Sequence, residues 1–99
     1  MRRLIYAKEA KADLTAIGRY IAEQAGYAIA DDLLERIRLR IENIPQVPKS
    51  HPVVPELGPG LRRMVVGRYL ILYSVDDSVI YIIRVLHSAR DISATLMPR

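Results

Sequence analysis

The chain has 99 residues and a formal net charge of +4 at pH 7, from 15 basic and 11 acidic side chains. A chain of this length holds one hydrophobic core, so we expect residues 1–99 to form a single domain. It contains no cysteine, which excludes a disulfide framework, a thiolate zinc site and a cysteine nucleophile.

The positive charge is spread along the chain. Residues 1–50 carry nine basic and seven acidic groups, and residues 51–99 carry six and four. Such a mild, distributed charge suits an acidic protein partner as well as nucleic acid. No helix pattern with exposed polar base-reading residues is visible, so we expect no direct sequence-specific binding to nucleic acid.

Targeting and membrane signals are weak. Lys8, Glu9 and Lys11 interrupt any apolar stretch of signal-peptide length near the start. The longest apolar run near the end, residues 79–83, is about a quarter of what a spanning helix needs. We therefore expect a soluble, cytoplasmic protein that makes no membrane contact.

The first half of the chain predicts one strand and two helices. Residues 2–6 are short and rich in strand-forming side chains. From Lys8 the apolar residues follow a helical period, and Gly26 supplies the conformation that ends such a helix. The apolar positions of this first helix are Ala10, Leu14, Ile17 and Ile21.

A second helix is expected directly after Gly26 and before Pro45, which cannot continue it. The short joint between the helices predicts a helical hairpin. The apolar stripe of the second helix is wider and consists of Ala30, Leu33, Leu34, Ile37, Ile41 and Ile44.

Residues 45–60 hold five of the six prolines and predict an irregular connector. Three strand-like runs follow, at residues 61–66, 69–75 and 79–86. Gly67 begins a two-residue segment that matches a type II′ hairpin turn, so we expect an antiparallel meander.

The predicted fold class is therefore α+β with the order β-α-α-β-β-β. An N-terminal strand is followed by a helical hairpin that packs on one face of a mainly antiparallel sheet. Each helix has a single apolar face, which is what one covered sheet face requires. Residues 87–99 show no clear period.

Several segments, in the right order along nearly the whole chain, resemble toxins of the ParE/RelE toxin–antitoxin superfamily. The two most specific are VGRYLILYSV at residues 66–75, similar to the family's VG-x-Y-L-I-x-Y hairpin, and IRVLHSARD at residues 83–91, similar to its R-V-L-H-x-A-R-D ending. The others are AKADL at residues 10–14 with Ile17 and Tyr20-Ile21, PEL at residues 55–57, and LRR at residues 61–63.

This resemblance implies the RelE/ParE-like fold and one of two activities. ParE-like members poison DNA gyrase so that cleaved DNA accumulates, and RelE-like members are ribosome-dependent messenger-RNA endonucleases. Both kinds are neutralised by an antitoxin, here a ParD-like protein, whose flexible C-terminal segment wraps the toxin and folds upon it. No cofactor and no metal ion is expected.

A metal-free ribonuclease needs a general base, a general acid and a cation beside the phosphate. Nuclease members of the superfamily commonly carry these groups in the middle strand, after the last strand and near the C-terminus. In this chain the corresponding residues are Leu70, Ser88 and Ala94, and none can perform the chemistry. The sequence therefore favours a gyrase poison, with the ribonuclease as the alternative.

If the chain is a ribonuclease, the catalytic candidates are His87, Arg62, Arg84 and Lys49. His87 equally fits a structural role at the end of the last strand, and His51 fits a solvated loop. By alternation, Arg84 lies on the rim or shares a face with Ile80, Ile82 and Leu86. Its expected partner is Asp91, Glu56 or a carboxylate of the antitoxin.

The candidates for protein contact form two sets. Exposed residues that core packing does not explain often mark interfaces. The candidates for target binding are Arg90, Asp91, Leu96 and Met97, and those for antitoxin binding are Arg62, Arg84, Tyr69 and Tyr73. The spacing of Arg36, Arg38 and Arg40 favours a solvated helix surface over a phosphate-binding stripe.

Overall fold

A computed structural model describes residues 3–88 of the chain. Its elements follow the predicted order β-α-α-β-β-β, and the α+β class is confirmed. In chain order they are β1 (Arg3–Tyr6), α1 (Lys8–Ala25), α2 (Tyr27–Glu42), β2 (Arg62–Val66), β3 (Tyr69–Val75) and β4 (Val79–His87).

The two helices form the predicted hairpin. Gly26 joins them with a φ of +94°, a conformation that glycine adopts without a Cβ clash. Its N–H donates to the carbonyl of Ala22 at 2.9 Å and closes the end of α1. Pro45 lies in a single 3-10 turn, Ile44–Gln46, just after α2 ends. Within residues 3–88, neither helix is long and apolar enough to cross a bilayer.

The four strands form one sheet in the order β1-β4-β3-β2. β2, β3 and β4 make the predicted antiparallel meander, whereas β1 pairs in parallel with β4. At the β2–β3 turn Gly67 has a φ of +58° and Arg68 has no positive φ, as a type II′ turn requires. β1 and β2 are therefore the two edge strands.

Both faces of the sheet are covered, although the sequence predicted only one. β3 reads YLILY, an unbroken apolar run typical of a strand that is buried on both faces. The helical hairpin covers one face. On the other face the connector between α2 and β2 covers a smaller cluster, in which Leu70, Leu72 and Leu86 pack against Val54, Leu57, Leu61 and Ile83.

The larger core lies between the helical hairpin and the sheet. Its fully buried side chains come from both helices, the 3-10 turn after α2 and all three meander strands. The largest are Tyr73, Ile37, Ile41, Ile44, Met64, Ile71, Ile80 and Ile82. Leu14, Ile17 and Leu33 pack against this core while remaining partly exposed.

A bulge interrupts β4. Leu72 pairs with Arg84 but Tyr73 pairs with Ile82, so β4 carries one extra residue at this point and its alternation shifts. Ile82 consequently belongs to the larger core, whereas Leu86 belongs to the smaller cluster. The expectation that Ile80, Ile82 and Leu86 share one face is wrong because of this extra residue.

Candidate functional site

Arg62, a candidate for catalysis and for antitoxin binding, holds the connector in place. It begins β2, and its Nη1 donates to the carbonyl of His51 at 2.7 Å and to that of Lys49 at 3.3 Å. Charge-assisted bonds to carbonyl oxygens fix an irregular segment that lacks its own ladder. Nη1 of Arg62 is thus engaged in this fold contact.

Tyr69 and Tyr73 are buried, with 7% and 0% of their surfaces exposed. The hydroxyl of Tyr73 donates to the carbonyl of Pro48 at 3.0 Å. Burial raises the pKa of Tyr73, and the charge of Arg62 partly offsets that rise. Neither tyrosine presents its ring to a partner, so their burial does not support the predicted antitoxin contacts.

His51 is half-buried, whereas the sequence suggested a solvated loop residue. Its ring meets Tyr73 edge-on, with ring centroids 6.1 Å apart. Burial lowers the pKa of His51, and the charge of Arg40 adds to the effect. His51, Arg62 and Tyr73 therefore form a cluster that ties the connector to β2 and β3.

His87 ends β4 and is half-buried. Its ring packs edge-on against Tyr69, with centroids 5.5 Å apart. Beside it, the N–H of Ser88 donates to the carbonyl of Arg68 at 2.8 Å. These contacts are consistent with a structural role for His87 at the end of the last strand.

The four nuclease candidates do not form one cluster. His87 pairs with Tyr69, whereas Arg62 pairs with Tyr73 on the other side of β3. Four residues along a strand separate these two positions by about 13 Å. The backbone of Lys49 lies at the Arg62 end.

Arg84 forms a two-pronged ion pair with Asp13 of α1. Its Nε and Nη2 donate to the two carboxylate oxygens at 2.7 and 2.9 Å. One of these oxygens also accepts the N–H of Val85 at 2.9 Å. The sequence did not suggest Asp13 as a partner of Arg84, since it offered Glu56, Asp91 or a carboxylate of the antitoxin. Asp91 lies outside the described residues.

An apolar groove lies between α1 and α2, and we call it the hairpin groove. Two adjoining depressions of about 490 and 410 Å³ share Leu14 and Leu34 on their walls. Gly18 lies at the closest approach, since a Cβ there would lie 2.9 Å from the side chain of Leu34. The remaining lining residues are Tyr6, Thr15, Arg19, Ala22, Glu23, Tyr27, Ala30, Asp31, Arg38 and Glu42.

The hairpin groove was not predicted, although one signal for it exists. The stripe of α2 contains both Leu33 and Leu34, and these two point in different directions. Leu33 packs against the larger core, whereas Leu34 lines the groove. A stripe that is too wide for one buried face therefore indicates a second contact surface.

The arginines of α2 divide between two sides of the helix. Arg38 binds Glu35 and Glu42 beside the hairpin groove. These hydrogen bonds raise the pKa of Arg38 and lower that of Glu35. Arg36 and Arg40 are exposed and lie four residues apart, so they share another side.

Family membership is decided by a comparison with known sequence families. The family described as the ParE toxin of the type II toxin–antitoxin system parDE has a sequence model that matches residues 4–92. The chain belongs to the ParE toxin family. The hairpin groove, the Asp13–Arg84 pair and the Tyr69–His87 contact all lie within the matched residues.

Two curated relatives of this ParE-family toxin come from Caulobacter vibrioides. Toxin ParE3 is 27% identical over 96 residues, which are 97% of this chain and 96% of that protein. Toxin RelE2 is 32% identical over 92 residues, which are 91% of this chain and 99% of that protein. The ParE-family toxin therefore has relatives that carry the names of both branches of the superfamily.

A solved structure shares the fold of this ParE-family toxin. It is described as the chromosomal ParDE TA system from P. aeruginosa and matches with a TM-score of 0.79 and 24% sequence identity. The match covers 88% of this chain and 96% of that chain. The target-binding candidates Arg90, Asp91, Leu96 and Met97, and Ala94, lie outside the described residues.

Proposed function

We propose that this ParE-family toxin poisons DNA gyrase and is neutralised by a ParD-like antitoxin. The observation that supports this most is the separation of His87 from Arg62 by about 13 Å of strand. Cleavage of RNA requires an acid, a base and a cation around one phosphate. Gyrase acts in the cytoplasm, so the proposal also places the toxin there.

The engaged arginines support the same conclusion. Arg84 is held by the carboxylate of Asp13, and Arg62 is held by two connector carbonyls. These contacts restrict how either guanidinium can turn toward the phosphate of an RNA substrate. Protein binding requires no such turn.

A supercoiling assay with purified gyrase tests the proposal. Adding the toxin to gyrase and relaxed plasmid should stop supercoiling and accumulate cleaved DNA. Equimolar antitoxin should prevent both effects. Continued supercoiling with no cleaved DNA would reject the gyrase proposal.

The alternative is a ribosome-dependent messenger-RNA endonuclease of the RelE type. Two observations favour it, namely the relative named Toxin RelE2 at 32% identity and the partial exposure of His87. This alternative predicts cuts at the ribosomal A site that His87→Ala abolishes. Intact message in the presence of translating ribosomes would exclude it.

We assign the hairpin groove to the antitoxin. Its apolar walls and narrow, helix-lined shape suit the apolar face of an amphipathic helix. Folding of a disordered segment on the toxin should bury about 1,000–3,000 Å² in total. Deleting the C-terminal half of the antitoxin should therefore abolish binding, and undiminished binding would contradict this assignment.

The C-terminal residues remain our proposed gyrase contacts. Arg90, Asp91, Leu96 and Met97 comprise one basic, one acidic and two large apolar residues that follow the last strand in sequence. A toxin truncated after residue 88 should lose gyrase poisoning and retain antitoxin binding. Full poisoning by the truncated toxin would exclude these contacts.

A further inference from the structure

One side of α2 presents a row of hydrogen-bond donors to solvent. Arg36, Arg40 and Asn43 are all exposed, and their spacing of four and three residues aligns them on one side of a helix. Asn43 caps α2 in a right-handed helical conformation, so it stays in register with the two arginines. We call these three residues the donor stripe.

The donor stripe is separate from the charged network beside the hairpin groove. Arg38 binds Glu35 and Glu42 in that network, so both carboxylates are engaged away from the stripe. In the part of the chain that the structure describes, neither Arg36 nor Arg40 forms an ion pair. The solvated surface predicted for the three arginines is therefore divided, and two of them remain available to an external anion.

The surroundings of the donor stripe are also basic at its C-terminal end. The connector runs past the end of α2, and the positive charge of Arg40 is close enough to act on the ring of His51. Arg62, at the start of β2, donates to the carbonyl of His51 and adds a further positive charge. A polyanion that lies along the stripe toward the connector therefore meets a favourable potential.

Acidic residues limit this basic region at both ends. Asp32 lies one helical turn before Arg36. Beyond the connector, Lys49 shares a polar depression with Asp76 and Asp77. The seven-residue rise from the first to the last donor of the stripe spans about 10 Å, which corresponds to about three phosphates of one DNA strand. The region thus suits a short stretch of backbone.

The chemistry of the donor stripe suits phosphate. Guanidinium groups bind phosphate oxygens with two parallel hydrogen bonds, and side-chain amides also donate to them. Binding of single-stranded bases uses exposed aromatic rings, and protein interfaces are enriched in them. The exposed tyrosines of the described residues, Tyr20, Tyr27 and Tyr81, lie on α1, at the start of α2 and on β4. The stripe therefore fits the uniform backbone of a duplex.

We propose that the donor stripe binds the phosphate backbone of duplex DNA without reading its sequence. Arg40 lies about 6 Å along the helix from Arg36, and one strand presents a phosphate about every 3.4 Å along the duplex axis. Both guanidinium groups can therefore contact phosphates of the same strand, and Asn43 donates to a further one. This contact goes beyond the proposed gyrase interaction and does not depend on it.

Fluorescence anisotropy with a short labelled DNA duplex and the purified full-length toxin tests the contact. Wild-type toxin should bind at low salt with a Kd between about 1 and 100 µM. Joint substitution of Arg36→Gln and Arg40→Gln should weaken binding at least about tenfold. It should also reduce the slope of log affinity against log salt concentration by about two. Absence of wild-type binding at low salt would overturn the inference.

Joint substitution of Lys8→Gln and Lys11→Gln is the matched control, because it removes the same net charge from exposed positions on α1. This control should bind the duplex within about twofold of wild type, since salt screens distant charges. All four substituted positions are exposed, so circular dichroism should show both double variants folded. Equal weakening by the two would show that net charge alone attracts DNA, and the inference would fail.

Competitors identify the bound nucleic acid. Duplexes of unrelated sequence should compete equally with the labelled one, because their backbones are the same. Single-stranded RNA of the same length should compete more weakly, and stronger competition by RNA would overturn the assignment to duplex DNA. Because no gyrase is present, a failure here leaves the proposed function standing, whereas a failed supercoiling assay leaves this contact standing.

Discussion

Asp13 connects α1 to the bulge of β4 through three hydrogen bonds. Its carboxylate accepts from Nε and Nη2 of Arg84 and from the N–H of Val85. The side chain of Asp13 is 16% exposed and that of Arg84 is 43% exposed. Solvent therefore screens the pair only in part, and the contact stabilises the docking of α1 on the sheet.

We expect Asp13→Asn to lower the free energy of unfolding by about 1–2 kcal/mol. The amide of asparagine is uncharged and offers Arg84 one acceptor oxygen, whereas the carboxylate offers two. Urea denaturation measures the change. Asp32→Asn, at an exposed position on α2, is the matched control and should stay within about 0.5 kcal/mol of wild type. Equal effects of the two substitutions would contradict this role for Asp13.

His51 gives the stability of the toxin a pH dependence. Burial, reinforced by Arg40, lowers the pKa of His51 in the folded chain, whereas an unfolded histidine titrates near pH ~6.5. As the pH falls below about 6.5, the unfolded chain therefore binds a proton first. Neutral His51 therefore contributes to the free energy of unfolding above about pH 6.5, and this contribution is lost as the pH falls.

We expect His51→Phe to reduce this pH dependence while it keeps a ring against Tyr73. Between about pH 7 and pH 5, the variant should lose less unfolding free energy than wild type. Urea denaturation at both pH values provides the comparison. The same loss in both proteins would show that His51 does not titrate on unfolding.

At the scale of elements, the sequence predicts each helix and strand because each has a local signal. The helical spacing of the apolar residues, together with Gly26 and Pro45, predicts the two helices, and Gly67 predicts the hairpin turn. The β4 bulge has no such signal, since VIYIIRVL is apolar at nearly every position. One extra residue in that run reverses the faces beyond it, and only the pairing with β3 reveals it.

The candidate functional residues, like the bulge, depend on contacts between parts of the chain that are distant in sequence. Residue types suggested His87 and the arginines, but their separation depends on register across three strands. The partner of Arg84 is 71 residues away in sequence, and no spacing rule connects such positions. The hairpin groove, likewise, is lined by residues of both helices, which approach each other closely at Gly18, so neither helix alone predicts it.

The hairpin groove predicts an effect at the element scale. Ala22 lines the groove, whereas Ala16 is exposed on the same helix and does not line it. Ala22→Arg should weaken antitoxin binding by at least about tenfold, because a long charged side chain blocks the apolar surface. Calorimetric titration measures the affinity.

Ala16→Arg is the matched control, since it makes the same substitution on α1 and should bind the antitoxin as wild type does. Circular dichroism should show both variants folded. If the two variants bind equally well, the antitoxin does not use the hairpin groove.

At the scale of the whole molecule, the helical hairpin and the connector cover opposite faces of the sheet. The hairpin groove, our proposed antitoxin site, lies on the helical side. Binding of this kind needs an exposed, rigid surface and no catalytic cleft.

The most direct test of this protein-binding function is the amount of gyrase-linked cleaved DNA formed by wild-type toxin and by His87→Ala. Because His87 packs on Tyr69 and lies apart from Arg62, we expect equal amounts of cleaved DNA with both proteins. Absence of cleaved DNA with wild-type toxin, together with messenger-RNA cuts on ribosomes that disappear in His87→Ala, would contradict it.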